Sequence, residues 1–172
     1  VHLADGVDVM DKLANILTYE YQSAPYFSQT YSFLDVLAQD TDVTRRLSFF
    51  AYISLGVFGY MMGVLPSVRL ASTLRCNHGP GDKNGRLIAL TKRVGGDAYL
   101  AGAEAARAYL DPKRFADAGI KLLSMEYMNP EYSQIHGGSF IPKMGVVDAL
   151  MNCGNDARRL VSPDYYRVTE LN

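Results

Sequence analysis

The feature that most constrains the fold is a run of twenty-two residues without a charge at positions 47–68, LSFFAYISLGVFGYMMGVLPSV. This length is enough for a membrane-spanning helix, which needs about 20 mostly apolar residues. The run also contains serines, tyrosines, three glycines and Pro66. A wholly buried helix followed by a buried strand produces the same pattern. We therefore expect the buried helix, and a membrane segment is the alternative that is not favoured.

The N-terminal part, residues 1–64, has the spacing of amphipathic helices. Apolar residues recur mostly every three or four positions over 7–22 and again over 26–38. Asp40 or Thr41 would cap a third helix, because both side chains can accept a hydrogen bond from the first helical turn. We therefore predict a mainly helical N-terminal segment.

Residues 65–160 change to an alternation of strand and helix patterns. Strands separated by helices predict βαβ units and a short parallel sheet. At 172 residues, the chain is long enough for one domain with a sizeable core. We therefore predict a single α/β domain over 1–172, Rossmann-like and three-layered, with a C-terminal tail over 161–172. The predicted elements are strands over 68–72, 98–100 and 120–127, and helices over 86–94, 104–110, 112–118 and 144–153.

Charge and cysteine content exclude several classes. Seventeen basic against eighteen acidic residues leave a formal charge of -1, so no general positive field attracts nucleic acid. Two cysteines, Cys76 and Cys153, are too few for a disulfide framework or a zinc site. We therefore predict a cytoplasmic protein with no metal site and no nucleic-acid partner. The sequence indicates no particular cofactor, and it leaves a homo-oligomer open.

The loop ASTLRCNHGPGDKNGR at 71–86 has the composition of an anion-binding loop. Glycines allow close backbone approach, the following helix directs free N–H groups outward, and cations lie at its edges. The pattern is not a Walker A motif, because no Gly-Lys-Ser/Thr follows. A flexible surface loop is the alternative. The predicted ligand-holding residues are Arg75, Gly79, Gly81, Lys83 and Arg86.

The segment EYSQIHGGSFIPKMGVVDALMNCG at 131–154 carries the candidate catalytic residues. Gln134 and His136 would share one face of an extended segment, and His136 is the best acid–base candidate. Asp148 and Asn152 lie four apart on one helix face, and Asp148 could orient His136 or a substrate amine. In the alternative reading, Asp148 and Asn152 bond to neighbouring loop backbone, and His136 is a surface residue.

Three pieces of the second half occur in a familiar order. They read GRLIALTKRVGGDAYLAG, AARAYLDPKRFADAGIKLL and NPEYSQIHGGSFIPKMGVVDALMNCG. Together they resemble the WbqC-like family, which is associated with bacterial surface-polysaccharide gene clusters. The resemblance covers about residues 64–160, and TYEYQSAPYF at 18–27 is similar to an upstream family segment.

The resemblance implies a group transferase that binds a phosphorylated or nucleotide-linked metabolite in O-antigen biosynthesis. The chain departs from the family pattern at Ala101, Asn129 and Gly145, where serine, histidine and serine are common, and it lacks the family's N-terminal motifs. These departures support an alternative. The protein would then be a non-catalytic or truncated subunit that packs its apolar 47–68 segment into a larger assembly, with or without a membrane.

Overall fold

The computed structural model describes residues 9–38 and 46–171, and within them the side chains of residues 10–34 and 46–171. The helix predicted to begin at Asp40 or Thr41 lies outside the described residues. The chain divides into two compact units. The described part of the first unit comprises residues 9–38, 46–68 and 129–162, and that of the second comprises 69–128 and 163–171. The single-domain assignment stays a prediction.

Seven helices and three strands are described. In chain order they are α1 (Val9–Tyr21), α2 (Phe27–Ala38), α3 (Leu47–Met61), α4 (Lys83–Arg93), β1 (Ala98–Gly102), α5 (Ala103–Tyr109), α6 (Pro112–Asp117), β2 (Lys121–Tyr127), α7 (Val146–Cys153) and β3 (Tyr166–Leu171). Three short 3-10 helices cover Ala71–Thr73, Gly154–Val161 and Pro163–Tyr165. The predicted helices over 7–22, 26–38 and 144–153 are confirmed with small shifts at their ends.

The first unit is helical and packs around α7. Met151 of α7 is buried in a cluster with Leu17 of α1 and Leu34 of α2. Leu150 lies in a second cluster with Met61, at the end of α3. Because Leu150 and Met151 are adjacent, they leave the helix in different directions, and α7 contributes to two apolar clusters at once. The polar side of α7 therefore has a fixed orientation.

Helix α3 is shorter than the uncharged run that contains it, because a glycine turn ends it. Gly63 has a φ of 71°, and its N–H donates to the carbonyl of Tyr60 at 3.0 Å. The N–H of Val64 donates to the carbonyl of Gly59 at 2.7 Å. This pair of bonds is a Schellman motif, which favours glycine at the left-handed position. Gly59 and Gly63 therefore take part in the end of α3. The predicted strand over 68–72 is wrong, because Ala71–Thr73 forms a 3-10 helix.

The prediction that α3 is wholly buried is also wrong. Leu55 is 55% exposed, Tyr60 is 64% exposed, and Leu65 in the following segment is 78% exposed. A charge-free sequence does not distinguish a helix buried on all sides from one that leaves an apolar face uncovered. Among the described residues, no helix is both long and apolar enough to cross a membrane. The 15 residues of α3 span only about 22 Å at ~1.5 Å per residue.

The second unit contains a mixed three-stranded sheet in the order β1-β2-β3. Strands β1 and β2 pair in parallel, as predicted, with Ala98 opposite Lys121 and Gly102 opposite Met125. A parallel pair needs a crossover, which α5 and α6 provide. Strand β3 pairs antiparallel with β2, with Leu122 opposite Leu171. The predicted all-parallel sheet and the predicted tail over 161–172 are therefore corrected.

The core of the second unit lies between the sheet and its helices. Phe115 of α6 is fully buried, and Leu122 of β2 is 1% exposed. Both belong to one cluster with Ala106 of α5. The fold is mixed α/β, and the three-layered Rossmann-like arrangement stays a prediction.

Candidate functional site

The centre of the first candidate site is the buried carboxylate of Asp148, which is 4% exposed on α7. Its Oδ1 accepts from the hydroxyl of Tyr21 at 2.8 Å and from Nδ2 of Asn152 at 3.3 Å. Its Oδ2 accepts from the hydroxyl of Tyr132 and from Nε2 of Gln134 at 3.2 Å. A carboxylate has about four acceptor positions, so these four donors use them all. Burial of this acid is therefore compensated by hydrogen bonds.

The two tyrosines are chemically altered by this environment. Burial raises the pKa of the Tyr21 hydroxyl, and the hydrogen bond to Asp148 and the charge of Asp148 raise it further. The pKa of Tyr132 is raised by the same causes in the same order. An adjacent carboxylate disfavours a second negative charge. Both hydroxyls are therefore held in the neutral form, as donors to Asp148.

Gln134 binds the loop as well as the acid. Its Oε1 accepts from the N–H of Ile141 at 2.9 Å, and its Nε2 donates to the carbonyl of Ile141 at 3.1 Å. Nε2 also donates to Asp148, so both amide hydrogens are used. The side chain thus closes the loop 134–141 across its base. These contacts make Gln134 a residue that positions the loop.

Asn152 follows the alternative that sequence analysis left open. Its Oδ1 accepts from the N–H of Ile135 at 2.9 Å, and its Nδ2 donates to the carbonyl of Asp148 at 2.8 Å. The predicted common face of Asp148 and Asn152 is confirmed, since their side chains are bonded at spacing i, i+4. The pair fastens loop backbone to α7.

His136 lies near these residues without touching the acid. Its ring meets Tyr21 edge-on, with centroids 6.0 Å apart. Its Nε2 is 3.9 Å from Oε2 of Glu20, an ion pair when the imidazole is protonated. Among the described residues no hydrogen bond joins His136 to Asp148, and a role for Asp148 in orienting His136 or a substrate amine stays a prediction. Tyr21 is hydrogen-bonded to Asp148 and packs against the ring of His136.

An open cavity of about 550 Å³ adjoins the loop. Residues 131–134 and 137–140 line it together with Arg159, and it is termed the loop cavity. The rings of Tyr132 and Phe140 form an edge-to-face pair with centroids 5.3 Å apart. Gln134 lines the loop cavity, whereas His136 does not. The cavity thus begins where the hydrogen-bonded network around Asp148 ends.

The second unit contains the predicted anion loop, but the helix start is occupied. Helix α4 begins at Lys83, earlier than predicted, because Asp82 caps it. Oδ1 of Asp82 accepts from the N–H of Gly85 at 2.9 Å. Arg114 donates to both oxygens of Asp82, at 2.8 and 2.6 Å, and lowers the pKa of that acid to about 2. The protein's own carboxylate therefore occupies the place that sequence analysis assigned to a bound anion.

Two of the predicted cations nevertheless meet at one cavity. Arg75 and Arg86 line a cavity of about 280 Å³, termed the arginine cavity, together with Ser72 and His78. The remaining lining residues are Ala71, Cys76 and Leu90. Arg75 has a φ of 47°, a left-handed conformation that is uncommon outside glycine. Within the described part of the chain, neither guanidinium has an ion-pair partner.

The other predicted members of the loop lie elsewhere. Nζ of Lys83 sits 5.5 Å from the ring centroid of Tyr109, a cation–π contact. Gly79 and Gly81 are absent from the lining of the arginine cavity. His78 was not among the predicted ligand residues, although it directly precedes Gly79 in the same loop. The structure thus brings Arg75 and Arg86 to one cavity whose lining does not include Lys83, Gly79 or Gly81.

The cysteines do not form a reactive pair. Cys153 is buried in the second apolar cluster of the first unit, with Leu150 and Met61, as predicted, and burial raises the pKa of its thiol. Cys76 is half-buried, and its Sγ lies 3.6 Å from the carbonyl of Ala89. In the described ranges no group of three or more histidine, cysteine or acidic side chains could hold a metal ion.

Sequence reasoning missed Tyr21, Tyr132 and Arg159. A buried acid on a helix needs several donors, and tyrosine hydroxyls are among the few that reach across a core. That requirement was a usable signal, but the sequence does not say which of the chain's 12 tyrosines supply the donors. Tyr21 lies 127 residues from Asp148. Only the folded chain identifies that pair.

Comparison with known proteins extends the resemblance. A model of the WbqC-like protein family matches residues 1–160 of this chain. The match therefore includes the helical N-terminal part, most of which lies outside the resemblance based on motifs. An uncharacterized protein of Mycobacterium tuberculosis (strain ATCC 25618 / H37Rv), Rv1507c, is 28% identical over 166 residues, covering 96% of this chain and 67% of that protein. No solved structure matches the chain significantly.

Proposed function

Because this chain belongs to the WbqC-like protein family, we propose that it binds a phosphorylated or nucleotide-linked metabolite. We propose further that it takes part in a cytoplasmic group transfer of bacterial surface-polysaccharide (O-antigen) assembly. The observation that carries the binding proposal is the arginine cavity. Two guanidinium groups without ion-pair partners among the described residues line it, and no acid does.

The chemistry of the arginine cavity suits a phosphate group. Guanidinium groups bind phosphate oxygens through two parallel hydrogen bonds, and a hydroxyl such as that of Ser72 adds a neutral donor. His78 would contribute the N–H of Nε2 only as a doubly protonated imidazole, because Nδ1 lies 3.2 Å from the carbonyl of Gly79, which can only accept. A volume of about 280 Å³ is ample for a phosphate or a pyrophosphate group. The proposed ligand is therefore recognised by its phosphate end.

The proposed transfer chemistry uses His136 as the acid–base group. His136 is exposed, and its Nε2 lies 3.9 Å from Oε2 of Glu20. Asp148 and Gln134 have their hydrogen-bonding groups engaged within the protein, so we assign them to positioning the loop. Replacement His136→Asn should remove transfer while leaving nucleotide affinity unchanged. A loss of both together would contradict the separation of binding from proton transfer.

The binding proposal is tested by calorimetric titration with UDP and with uridine, which lacks phosphate. Wild type should bind UDP more tightly, and the paired change Arg75→Gln with Arg86→Gln should weaken UDP binding by at least about tenfold, since charge-assisted hydrogen bonds contribute about 1.5–3 kcal/mol each. Lys83→Gln is the matched control, because Lys83 lies over Tyr109 and outside the cavity. Equal affinity for UDP and uridine would reject the proposal.

The exposed face of α3 favours a second candidate function. Leu55, Tyr60 and Leu65 are all more than half exposed, and together with the uncharged 47–68 segment they suit a subunit that packs into a larger assembly. The change Leu55→Glu should then shift the native particle to a smaller mass in light scattering. An unchanged monomeric mass for wild type and variant would reject this candidate.

A further inference from the structure

The loop cavity of the first unit has no role in the proposed phosphate site, yet it has the features of a ligand site. Its lining includes both an acid and a base, Glu131 and Arg159, and both side chains are exposed. Among the described residues neither forms an ion pair, so their charged groups lie more than 4.0 Å apart. Two opposite charges that line one cavity without pairing can each bind the complementary charge of a ligand.

The aromatic part of the cavity lining is fixed by contacts within the protein. The Tyr132 ring packs edge to face on Phe140, with centroids 5.3 Å apart, and its hydroxyl is bonded to the buried Asp148. Gln134 holds the other end of the segment by its two hydrogen bonds to Ile141. Lining residues that are already fixed in this way lose little conformational entropy when a ligand binds.

The lining of the loop cavity also includes glycines and serines. Gly137 and Gly138 have φ values of 63° and 81°, and nothing lies within 4 Å of where a side chain would start at either. Ser133 and Ser139 line the same space. Serine hydroxyls both donate and accept, which suits the hydroxyl groups of a polyhydroxylated ligand.

We propose that the loop cavity binds a polyhydroxylated zwitterion, namely an amino sugar that carries both a free ammonium group and a carboxylate. The carboxylate meets Arg159, the ammonium group meets Glu131, and the sugar ring lies against Tyr132. A volume of about 550 Å³ accommodates one such sugar with its hydration. This inference goes beyond the proposed function, since it concerns the loop cavity and not the arginine cavity, and it needs no phosphate.

The test compares four sugars that share the galactose ring. Their binding to the full chain is measured by ligand-observed NMR titration. Galactosaminuronic acid carries both charges, galacturonic acid only the carboxylate, galactosamine only the ammonium group, and galactose neither. We expect affinity to fall by up to about fivefold with each charge removed, as for exposed charge pairs, which contribute up to about 1 kcal/mol. Equal binding of all four probes, or no binding of the zwitterion at millimolar concentration, would overturn the proposal.

Two variants identify the contacts. Arg159→Gln should abolish the preference for galactosaminuronic acid over galactosamine, and Glu131→Gln should abolish its preference over galacturonic acid. Both side chains are exposed, so the fold should survive, which amide NMR spectra check. The change Arg86→Gln in the arginine cavity should leave these affinities unchanged while it weakens UDP binding. Loss of zwitterion binding in Arg86→Gln, with Arg159→Gln and Glu131→Gln unaffected, would contradict the assignment.

Discussion

The hydroxyl of Tyr21, at the end of α1, donates a hydrogen bond of 2.8 Å to Oδ1 of Asp148, 127 residues later in the chain. This bond joins the first described helix to α7, and Tyr132 and Gln134 bring the 131–141 loop to the same carboxylate. The shape of the loop cavity therefore depends on the hydrogen bonds to Asp148, which itself does not line the cavity. Its shape should respond to changes at residues that do not line it.

Replacing the acid by its amide should destabilise the first unit. In Asp148→Asn one acceptor oxygen becomes an NH₂ group facing hydrogen-bond donors, and the amides of Gln134 and Asn152 cannot reverse roles without losing other bonds. We expect a loss of about 2–4 kcal/mol in the free energy of unfolding. Urea denaturation measures it. Asp156→Asn, an exposed acid, is the control and should change stability by less than about 0.5 kcal/mol; equal effects of the two changes would contradict the account.

Alkaline titration should show tyrosines that ionise late. The pKa of Tyr21 and that of Tyr132 are raised above the ordinary 10.0, chiefly by burial and then by the bond to Asp148. The stability they contribute is therefore fully present below the ordinary pKa and is lost as pH rises above it. Ultraviolet absorbance of tyrosinate should have a late phase that coincides with unfolding. The double change Tyr21→Phe with Tyr132→Phe should remove two tyrosines from that phase; an unaltered late phase would contradict the assignment.

Acid titration should separate the cap of α4 from other carboxylates. Arg114, and then the N–H of Gly85, lower the pKa of Asp82 from 3.8 to about 2. Its contribution is present above the ordinary pKa and disappears as pH falls through the lowered one. The difference in melting temperature between wild type and Asp82→Asn should be constant near neutral pH and vanish towards pH 2. A difference that persists undiminished at that pH would reject a role for the charge.

Gly154, directly after α7, should tolerate no side chain. Its φ is 54° and its ψ is -130°, and an added Cβ would lie 2.5 Å from Cδ1 of Tyr26. We expect Gly154→Ala to destabilise by about 2–3 kcal/mol, since such backbone strain alone costs of order 1–3 kcal/mol. Gly145→Ala is the control, because φ there is -73° and nothing lies within 4 Å. Thermal unfolding compares the two variants. Similar melting temperatures would contradict the prediction and show that the Tyr26 ring can move aside at little cost.

Local patterns in the sequence predicted much of the helical structure. The spacing of apolar residues placed α1, α2 and α7, and the four-residue interval placed Asp148 and Asn152 on one face. These features depend on neighbours within one or two turns. They were therefore accessible without knowledge of the rest of the fold.

Features set by distant partners were not accessible in this way. The sequence did not show that the apolar face of α3 stays uncovered, or that Tyr166–Leu171 pairs with β2, because an edge strand with charged residues resembles a tail. The Asp82 cap had a local signal, yet its partner Arg114 lies 32 residues away. In the 71–86 loop, composition could not show that Arg75 and Arg86 line one cavity whereas Lys83 packs on Tyr109.

The central claim is that the arginine cavity binds a phosphorylated metabolite, and an amide NMR titration of isotope-labelled protein with UDP tests it most directly. The account predicts saturable chemical-shift changes concentrated at Ser72, Arg75, His78 and Arg86 and their neighbours, which weaken in Arg86→Gln and persist in Lys83→Gln. Absence of saturable changes at millimolar UDP, or changes confined to other parts of the chain, would contradict it.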